Sequence, residues 1–287
     1  MVVALLAACG STSTESVDSL TEESSLGWFA SSADWAEVAV GSQHACGLRQ
    51  DGTVQCWGCA DVPGEEGAFP EACQPPTGMY RNIECGVQDC CALGLTDGLP
   101  VCWGSILAAP PARSMTQLSC DNYTCCGVLE NGSVECWDMF DSGIEPFADL
   151  GTIRQVDAGT SDSACVVTDG GAAVCRTYDG DAWNLADEGV DWVAAGPWQN
   201  GCVLQDGAVW CTDGFELAGA SAVIVEGETD VCALGLAGDV TCSGTQQDPD
   251  GAFVDVGAWA ELACGVMEDG RLLCWDGEDK WGAHLPP

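Results

Sequence analysis

The sequence predicts an all-β protein built from a repeated hairpin, on the strength of three observations. A pattern of Cys, turn residues and Cys occurs seven times along the 287 residues. Each pair of cysteines encloses a turn-forming dipeptide such as Asp51-Gly52, which supplies the positive φ that a tight hairpin needs. The residues around the first Cys of each pair alternate in size with a period of two, which is typical of β-strands.

The seven hairpins are identified by their cysteine pairs. The two cysteines are ten residues apart in five copies, nine apart in one and eleven apart in another. The pairs are Cys46 with Cys56, Cys91 with Cys102, Cys126 with Cys136, Cys165 with Cys175, Cys202 with Cys211, Cys232 with Cys242, and Cys264 with Cys274.

Hairpin geometry predicts a disulfide inside each copy. In the clearest copy, GSQHACGLRQDGTVQCWG, a three-residue loop at 50–52 places Arg49 opposite Thr53. Counting outward along both strands then places Cys46 opposite Cys56. Directly opposed residues of an antiparallel pair have Cα atoms about 4.5–5.5 Å apart, which suits a disulfide.

The same alternation predicts how the sheets pack. In the first copy His44, Cys46 and Leu48 share one side of the strand, while the small residues Ala45 and Gly47 share the other. We expect tryptophan rings on the partner strands to fill the hollows that such small residues leave between facing sheets. These residues are Trp57, Trp103, Trp137, Trp210 and Trp275.

Six further cysteines lie outside the hairpins. Two expected pairs precede the second and third hairpins by identical offsets, and a third closes a Pro- and Gly-rich insertion. Exchange of partners between neighbouring hairpins stays open as an alternative, because spacing alone does not fix connectivity. The local scheme pairs Cys85 with Cys90, Cys120 with Cys125, and Cys59 with Cys73.

The run GSQHACGLRQDGTVQCWG resembles the repeat of the regulator of chromosome condensation family, in the secreted bacterial form that adds a Cys to each hairpin strand. The resemblance covers roughly residues 28–287 and implies a seven-bladed β-propeller with four strands per blade. Copies four to six depart from the pattern because they lack Trp after the second Cys. The family's roles in nucleotide exchange and on chromatin are not expected to transfer to an acidic, disulfide-rich chain, because a fold does not carry its function with it.

The N-terminus is typical of an exported protein. Residues 1–8, MVVALLAA, are followed by Cys9 and resemble a bacterial lipoprotein signal, which implies cleavage before Cys9 and a lipid on that residue. An ordinary secretory peptide is the alternative. Residues 9–26 are rich in Ser, Thr and Glu and are expected to form a flexible tether, which leaves 27–287 for the propeller. With 21 Cys, we expect an extracytoplasmic, lipid-anchored protein of the bacterial outer membrane or cell surface.

Composition limits the partners. The chain has 45 Asp plus Glu against 7 Lys plus Arg, a net charge of -38, which excludes nucleic acid as a direct partner. No run approaches the roughly 20 apolar residues of a membrane-spanning helix, so membrane contact is expected only through the lipid. We expect a monomer that binds a protein or a glycan through the variable loops 60–80, 104–114 and 138–150.

Neither catalysis nor a cofactor or metal is predicted. His44 and His284 are the only histidines, and the chain lacks HExxH, GxSxG, GxGxxG and the P-loop motif. We expect His44 to hydrogen-bond within its own blade. The acidic loops 179–181, 248–251 and 276–279 lack EF-hand spacing, which favours solvated loops over calcium sites. An alternative function, a metal-dependent ligand binder or an enzyme, requires carboxylates that converge on the central channel.

Overall fold

The computed structural model describes residues 28–29, 34–42, 44–59, 70–105, 108–138, 142–144, 146–159, 163–177, 180–196, 200–226, 230–243, 249–259 and 262–276. These residues form β-strands and one short 3₁₀ helix, Pro70–Cys73. In this part of the chain no helix is long and apolar enough to cross a membrane. The expected signal peptide, tether and lipid site at Cys9 lie outside the described residues.

The strands form seven antiparallel sheets, which we number in chain order. The first strands of sheets 1 to 7 are β2 (Trp35–Val40), β5 (Tyr80–Cys85), β8 (Met115–Asp121), β12 (Ile153–Gly159), β16 (Val190–Ala195), β20 (Ala220–Glu226) and β23 (Phe253–Trp259). The second strands are β3 (Ala45–Arg49), β6 (Asp89–Gly94), β9 (Thr124–Leu129), β13 (Ser163–Thr168), β17 (Gly201–Gln205), β21 (Asp230–Gly235) and β24 (Leu262–Met267).

Third strands complete the seven hairpins, and fourth strands extend four of the sheets. The third strands are β4 (Val54–Trp57), β7 (Pro100–Gly104), β10 (Val134–Asp138), β14 (Ala173–Thr177), β18 (Ala208–Cys211), β22 (Val240–Cys242) and β25 (Leu272–Asp276). Sheets 3, 4, 5 and 7 gain the fourth strands β11 (Ser142–Ile144), β15 (Ala182–Ala186), β19 (Glu216–Ala218) and β1 (Trp28–Phe29). Because β1 pairs with β25, the start of the chain supplies the outer strand of the last sheet.

One backbone hydrogen bond recurs between every two consecutive sheets. The first residue of each first strand donates its N–H to the carbonyl of the turn glycine in the preceding sheet. These glycines have φ between 64 and 86°, a conformation that residues with a Cβ resist. The bonds run from Tyr80 to Gly52, Met115 to Gly98, Ile153 to Gly132, Val190 to Gly171, Ala220 to Gly207, Phe253 to Gly238 and Trp35 to Gly270, at 2.7–3.0 Å. The last of them joins sheet 7 to sheet 1.

The apolar core is divided among the seven interfaces between consecutive sheets, rather than gathered in one centre. Between sheets 7 and 1, Trp35 and Val40 pack against Leu262 and Leu272. Trp35 lies over Gly47 of its own sheet, where an added Cβ would come within 2.5 Å of the indole Cε3. The small-residue face therefore admits a large ring, as the alternation predicts.

Four of the five expected tryptophans are buried, and the prediction is wrong for the fifth. Trp57, Trp103, Trp137 and Trp275 are at most 7% exposed, whereas Trp210 is 49% exposed. Trp57 follows the second Cys of its hairpin and lies opposite Ala45. Trp210 instead precedes Cys211 and lies opposite Val203, whose branched side chain leaves no hollow for an indole ring.

Ten disulfides join the twenty cysteines named above, in the local scheme. In the hairpins the bonded Cα atoms are 3.9–4.0 Å apart, closer than the expected separation. The N–H of Arg49 donates to the carbonyl of Thr53, which makes these two a hydrogen-bonded pair. Pairs alternate along a ladder, so Cys46 and Cys56 form a non-hydrogen-bonded pair, the closer of the two kinds.

Candidate functional site: the central channel

The first strands of all seven sheets line a channel of about 510 Å³. Its lining includes exposed apolar side chains, with Val254 54% and Trp192 38% exposed. The carboxylates of Glu37, Glu84 and Asp157 line the same channel. The channel is thus the place where polar and charged side chains from different sheets meet.

The third residue of each first strand forms a ring around this channel. These residues are Glu37, Asn82, Gln117, Gln155, Trp192, Ala222 and Asp255. In five of the seven, a side-chain oxygen accepts a hydrogen bond from a backbone N–H of the next sheet. The donors are Ile83 to Glu37 (3.1 Å), Leu118 to Asn82 (2.7 Å), Val156 to Gln117 (2.8 Å), Val193 to Gln155 (2.9 Å) and Val38 to Asp255 (2.8 Å). Polar side chains therefore clamp consecutive sheets together at the channel wall.

These clamps are not predicted from the sequence, because the cysteine hairpins that carry the predictions lie in the second and third strands. A signal was present, since a polar residue recurs two positions after the large apolar residue that opens a first strand, as in Trp35-Ala36-Glu37 and Tyr80-Arg81-Asn82. Trp192 and Ala222 interrupt the series in sheets 5 and 6.

Burial raises the pKa of the channel carboxyls. The pKa of Asp255 rises to about 7 through loss of solvation and repulsion from Glu37, although the N–H of Val38 opposes the shift. Burial raises the pKa of Asp157 to about 6, opposed by bonds from the Ala195 N–H (2.7 Å) and the Ser119 hydroxyl (3.0 Å). Both side chains are half-buried. These carboxyls therefore exchange protons near neutral pH.

The pKa of Glu84 is affected by the other three carboxyls of the channel. Burial raises its pKa well above the usual value, and repulsion from Asp157, Glu37 and Asp255 adds to the shift. The side-chain amide of Asn82 donates to Glu84 at 3.2 Å and opposes it. Such a group of carboxyls holds protons and attracts cations.

The convergence of carboxylates is the arrangement that the alternative function requires, but it does not form a chelating site. Within the described residues no three carboxylates bring their oxygens within 4.8 Å of one another. The two groups that meet this distance are His44 with Cys85 and Cys90, and Cys91 with Cys120 and Cys125, and all five cysteines are disulfide-bonded. Hard cations such as Ca²⁺ and Mg²⁺ are generally bound by several oxygens at about 2.0–2.6 Å from the ion.

His44 bonds across a sheet interface, so the expectation that it bonds within its own blade is wrong. Its side chain is 1% exposed, and Nε2 lies 3.1 Å from Sγ of Cys90 in sheet 2. Burial lowers the pKa of His44 to about 4, opposed by a hydrogen bond with the backbone of Asp89. The reason is its place immediately before β3, where its side chain points into the interface that sheets 1 and 2 share.

Several predicted features lie partly or wholly outside the described residues. They include His284, Cys9 and parts of the three acidic loops. Of those loops, Asp181 and Asp250 are described and both are exposed.

All six arginines in the described residues are engaged within the chain. Four pair with carboxylates: Arg49 with Asp34, Arg113 with Glu135, Arg176 with Asp149, and Arg271 with Asp269. The other two donate to backbone carbonyls of the next sheet: Arg81 to Met115 and Thr116, and Arg154 to Val190 and Asp191. The described arginines are thus bonded to groups of the same chain and offset few of the surface carboxylates.

Comparison with known proteins agrees with this architecture. Residues 35–61 match the model of the regulator of chromosome condensation (RCC1) repeat. No curated protein sequence matches the chain.

Solved structures show the same fold. The CRINKLY WD40 ectodomain of the Arabidopsis thaliana receptor kinase ACR4 is 20% identical with a TM-score of 0.66, over 91% of this chain and 99% of that one. The ectodomain of the Physcomitrella patens receptor kinase CR4 is 19% identical with a TM-score of 0.64, over 88% of this chain and 75% of that one. Prp20p from Saccharomyces cerevisiae is 14% identical with a TM-score of 0.58, over 85% and 83%. The chain has an RCC1-like β-propeller fold, and its ten disulfides suggest an oxidising environment.

Proposed function

We propose that the chain is an exported, lipid-anchored, closed seven-bladed propeller of the cysteine-containing RCC1 type, which binds a basic protein or a glycan without catalysing a reaction. Residues 1–8 serve as the signal, Cys9 carries the lipid, 9–26 form the tether and 27–287 the propeller. The protein acts as a monomer at the bacterial outer membrane or cell surface.

The observation that carries the proposal is the distribution of charge. The net charge is -38, and the described arginines are all bonded internally. An acidic partner would meet a surface with almost no cation to pair with, and apposed like charges oppose association. A basic partner is drawn to the same surface and associates faster at low salt, since screening beyond about 8 Å at physiological ionic strength removes the steering.

The solved neighbours support a binding role. Prp20p is described together with its binding properties toward Gsp1p and histones, so a propeller of this fold serves as a protein-binding scaffold in that case. The loops 60–80, 104–114 and 138–150 are the proposed contact regions, because the hairpins are occupied by packing between sheets. Met79, in the first of these loops, is 56% exposed.

Capture of partners by the full chain at low and high salt tests the proposal. We expect the captured proteins or glycans to be basic or cation-bridged and their binding to weaken as salt rises. Glu71→Lys, an exposed change in the first contact loop, should reduce binding with little effect on thermal stability. Asp187→Lys, equally exposed and outside these loops, makes the same change in charge and serves as the control. Equal loss in both variants, or salt-independent binding, contradicts the proposed contact loops and charge steering.

A metal-dependent binder or enzyme that uses the channel remains a second candidate, favoured by the four carboxylates that line it. Titration with Ca²⁺ followed by calorimetry separates it from the first proposal. Binding that is lost in Asp157→Asn and Asp255→Asn would support this candidate. If both variants release the same heat of Ca²⁺ binding as the wild-type chain, the ion binds to other carboxylates.

A further inference from the structure

Two disulfides of different sheets touch beside the channel. Cys85–Cys90 belongs to sheet 2 and Cys46–Cys56 to sheet 1, and Sγ of Cys90 lies 3.4 Å from Sγ of Cys46. Cys85 lines the channel, whereas Cys90 and Cys46 are completely buried and Cys56 is half-buried on the other side of the hairpin. Four sulfurs therefore form a continuous series from the channel toward the exterior.

The same series recurs one sheet further on. Cys120–Cys125 of sheet 3 lies beside Cys91–Cys102 of sheet 2, with Sγ of Cys125 3.6 Å from Sγ of Cys91. Cys120 lines the channel and Cys102 is half-buried. The repetition shows that the arrangement follows from the repeat and is not a chance approach of two bonds.

We propose that each series is a thiol–disulfide relay, which takes up a small cationic thiol at the channel cysteine and releases a protein thiol at the outer cysteine. The exchange is an activity of the buried bridges and is separate from partner binding at the loops.

The chemistry is balanced by two exchange steps. A thiolate RS⁻ attacks Sγ of Cys85, a bond forms between RS and Cys85, and the Cys85–Cys90 bond breaks with its electron pair on Cys90. The Cys90 thiolate then attacks Sγ of Cys46, and the Cys46–Cys56 bond breaks with its electron pair on Cys56. Two disulfides and one thiolate enter, and two disulfides and one thiolate leave. The new bond, Cys46–Cys90, joins sheets 1 and 2.

The channel selects the charge of the thiol. Glu37, Glu84, Asp157 and Asp255 face the same space as Cys85, so an anionic thiol is repelled and an aminothiol is attracted. We expect cysteamine to react at Cys85 about tenfold faster than 2-mercaptoethanesulfonate of similar size, in line with rate effects of charged clefts. The difference should shrink in high salt.

His44 distinguishes the first relay from the second. Its Nε2 lies 3.1 Å from Cys90, so a neutral imidazole with its proton on Nε2 donates to the leaving thiolate. The corresponding group of the second relay, Cys91, Cys120 and Cys125, contains no histidine. We therefore expect His44→Asn to slow the first relay by about 10²-fold, as loss of a positioned proton donor does, and to leave the second unchanged. Because both relays lie in one molecule, the second reports any general loss of structure.

The test uses the full chain with its disulfides intact and limiting cysteamine as the probe. After acid quenching and alkylation, non-reducing peptide mapping should find cysteamine on Cys85, a Cys46–Cys90 bond and an alkylated Cys56. Cysteamine on Cys85 with Cys46–Cys56 intact would overturn the relay. Equal reaction rates for cysteamine and 2-mercaptoethanesulfonate would overturn the selection of the thiol by its charge.

A variant tests the second step without any added thiol. In Cys56→Ser the free Cys46 lies beside Cys90, and we expect a Cys46–Cys90 bond with a free thiol at Cys85. Cys175→Ser is the control, because the Cys165 that it frees has no second disulfide within contact distance among the described residues. Cys165 should stay free. The proposal would be overturned by a Cys56→Ser protein in which Cys46 stays free and the Cys85–Cys90 bond persists. If this variant does not fold, the peptide mapping of the wild-type chain described above tests the relay.

Discussion

The backbone N–H of Trp35 donates to the carbonyl of Gly270 at 3.0 Å, so the first repeat bonds to the last as each repeat bonds to its neighbour. A second link of the same kind, from the N–H of Val38 to the carboxylate of Asp255, lies at the channel wall. Both links repeat patterns found at the other interfaces. They give the first and last sheets the same relation as any two consecutive sheets, which supports the closed ring that we propose.

The side-chain clamps should contribute measurably to stability. In Gln155→Ala, the buried N–H and carbonyl of Val193 lose their partner, since Gln155 bonds both at 2.9 Å. Two buried polar groups without partners should lower the free energy of unfolding by about 2–4 kcal/mol. Urea unfolding with the disulfides intact measures the loss. Asp191→Ala, an exposed change at the end of the same first strand as Val193, is the control, and an equal loss in both variants would show that the clamp is not stabilising.

The hairpins and their disulfides could be predicted because their signals are local. A turn dipeptide and two cysteines ten residues apart define a register without reference to the rest of the chain. The channel could not be predicted in this way. Gln155 and Val193 meet only when two sheets pack, and the pKa of Asp255 depends on Glu37 at the other end of the sequence. The period-two alternation predicts the face of Trp210 correctly, but burial also depends on the residue opposite, and Trp210 lies opposite Val203.

Stability should fall as pH rises from about 4 to about 7. The pKa of Asp255 is raised in the folded state from 3.8 to about 7, and that of Asp157 to about 6. A raised pKa means that the folded state holds the proton more tightly, so the stabilisation is complete below the unfolded pKa and is lost as pH passes through the folded one. Urea unfolding at intervals of pH measures the slope. Asp255→Asn keeps an oxygen that can accept from Val38, and it should flatten the slope up to pH 7.

The buried imidazole of His44 changes stability with pH in the opposite direction, so its contribution has to be separated from that of the carboxyls. The pKa of His44 is lowered from 6.5 to about 4, so its stabilisation is present above pH 6.5 and is lost as pH falls. Its contribution is the same in the wild-type chain and in Asp255→Asn, so the difference between the two removes the imidazole and reports Asp255 together with its repulsion of Glu37 and Glu84. A difference that does not change between pH 4 and 7 would contradict the raised pKa.

The cysteine pairing can be tested directly. Mass mapping without reduction should recover ten bridges, including Cys85–Cys90 and Cys120–Cys125. The double change of Cys46 and Cys56 to Ala should lower the free energy of unfolding by at most about 3 kcal/mol, because the closed loop is short. Free thiols in several hairpins of protein from its native compartment would contradict both the pairing and the oxidising environment.

The packing of Trp35 over Gly47 should be sensitive to a single methyl group. In Gly47→Ala the new Cβ would come within 2.5 Å of Cε3 of Trp35, and the ring cannot retreat, since Trp57 lies 5.9 Å away and Arg49 stacks on it at 4.1 Å. We expect a loss of about 1–3 kcal/mol, the usual cost of overpacking.

A second change separates this clash from a general effect of the residue at position 47. The equivalent residue in sheet 2 is Ala92, which pairs with Ile83 as Gly47 pairs with Val38, so a Cβ is compatible with the strand itself. Trp35→Leu removes the ring that Gly47 accommodates and costs stability by leaving a cavity. Once the ring is gone, Gly47→Ala should cost little, and the double variant should be more stable than the sum of the two single changes predicts by about 1 kcal/mol or more. Unfolding in urea measures all four proteins of this cycle. Additive losses would show that Gly47 is required by the backbone and not by the indole ring that packs on it.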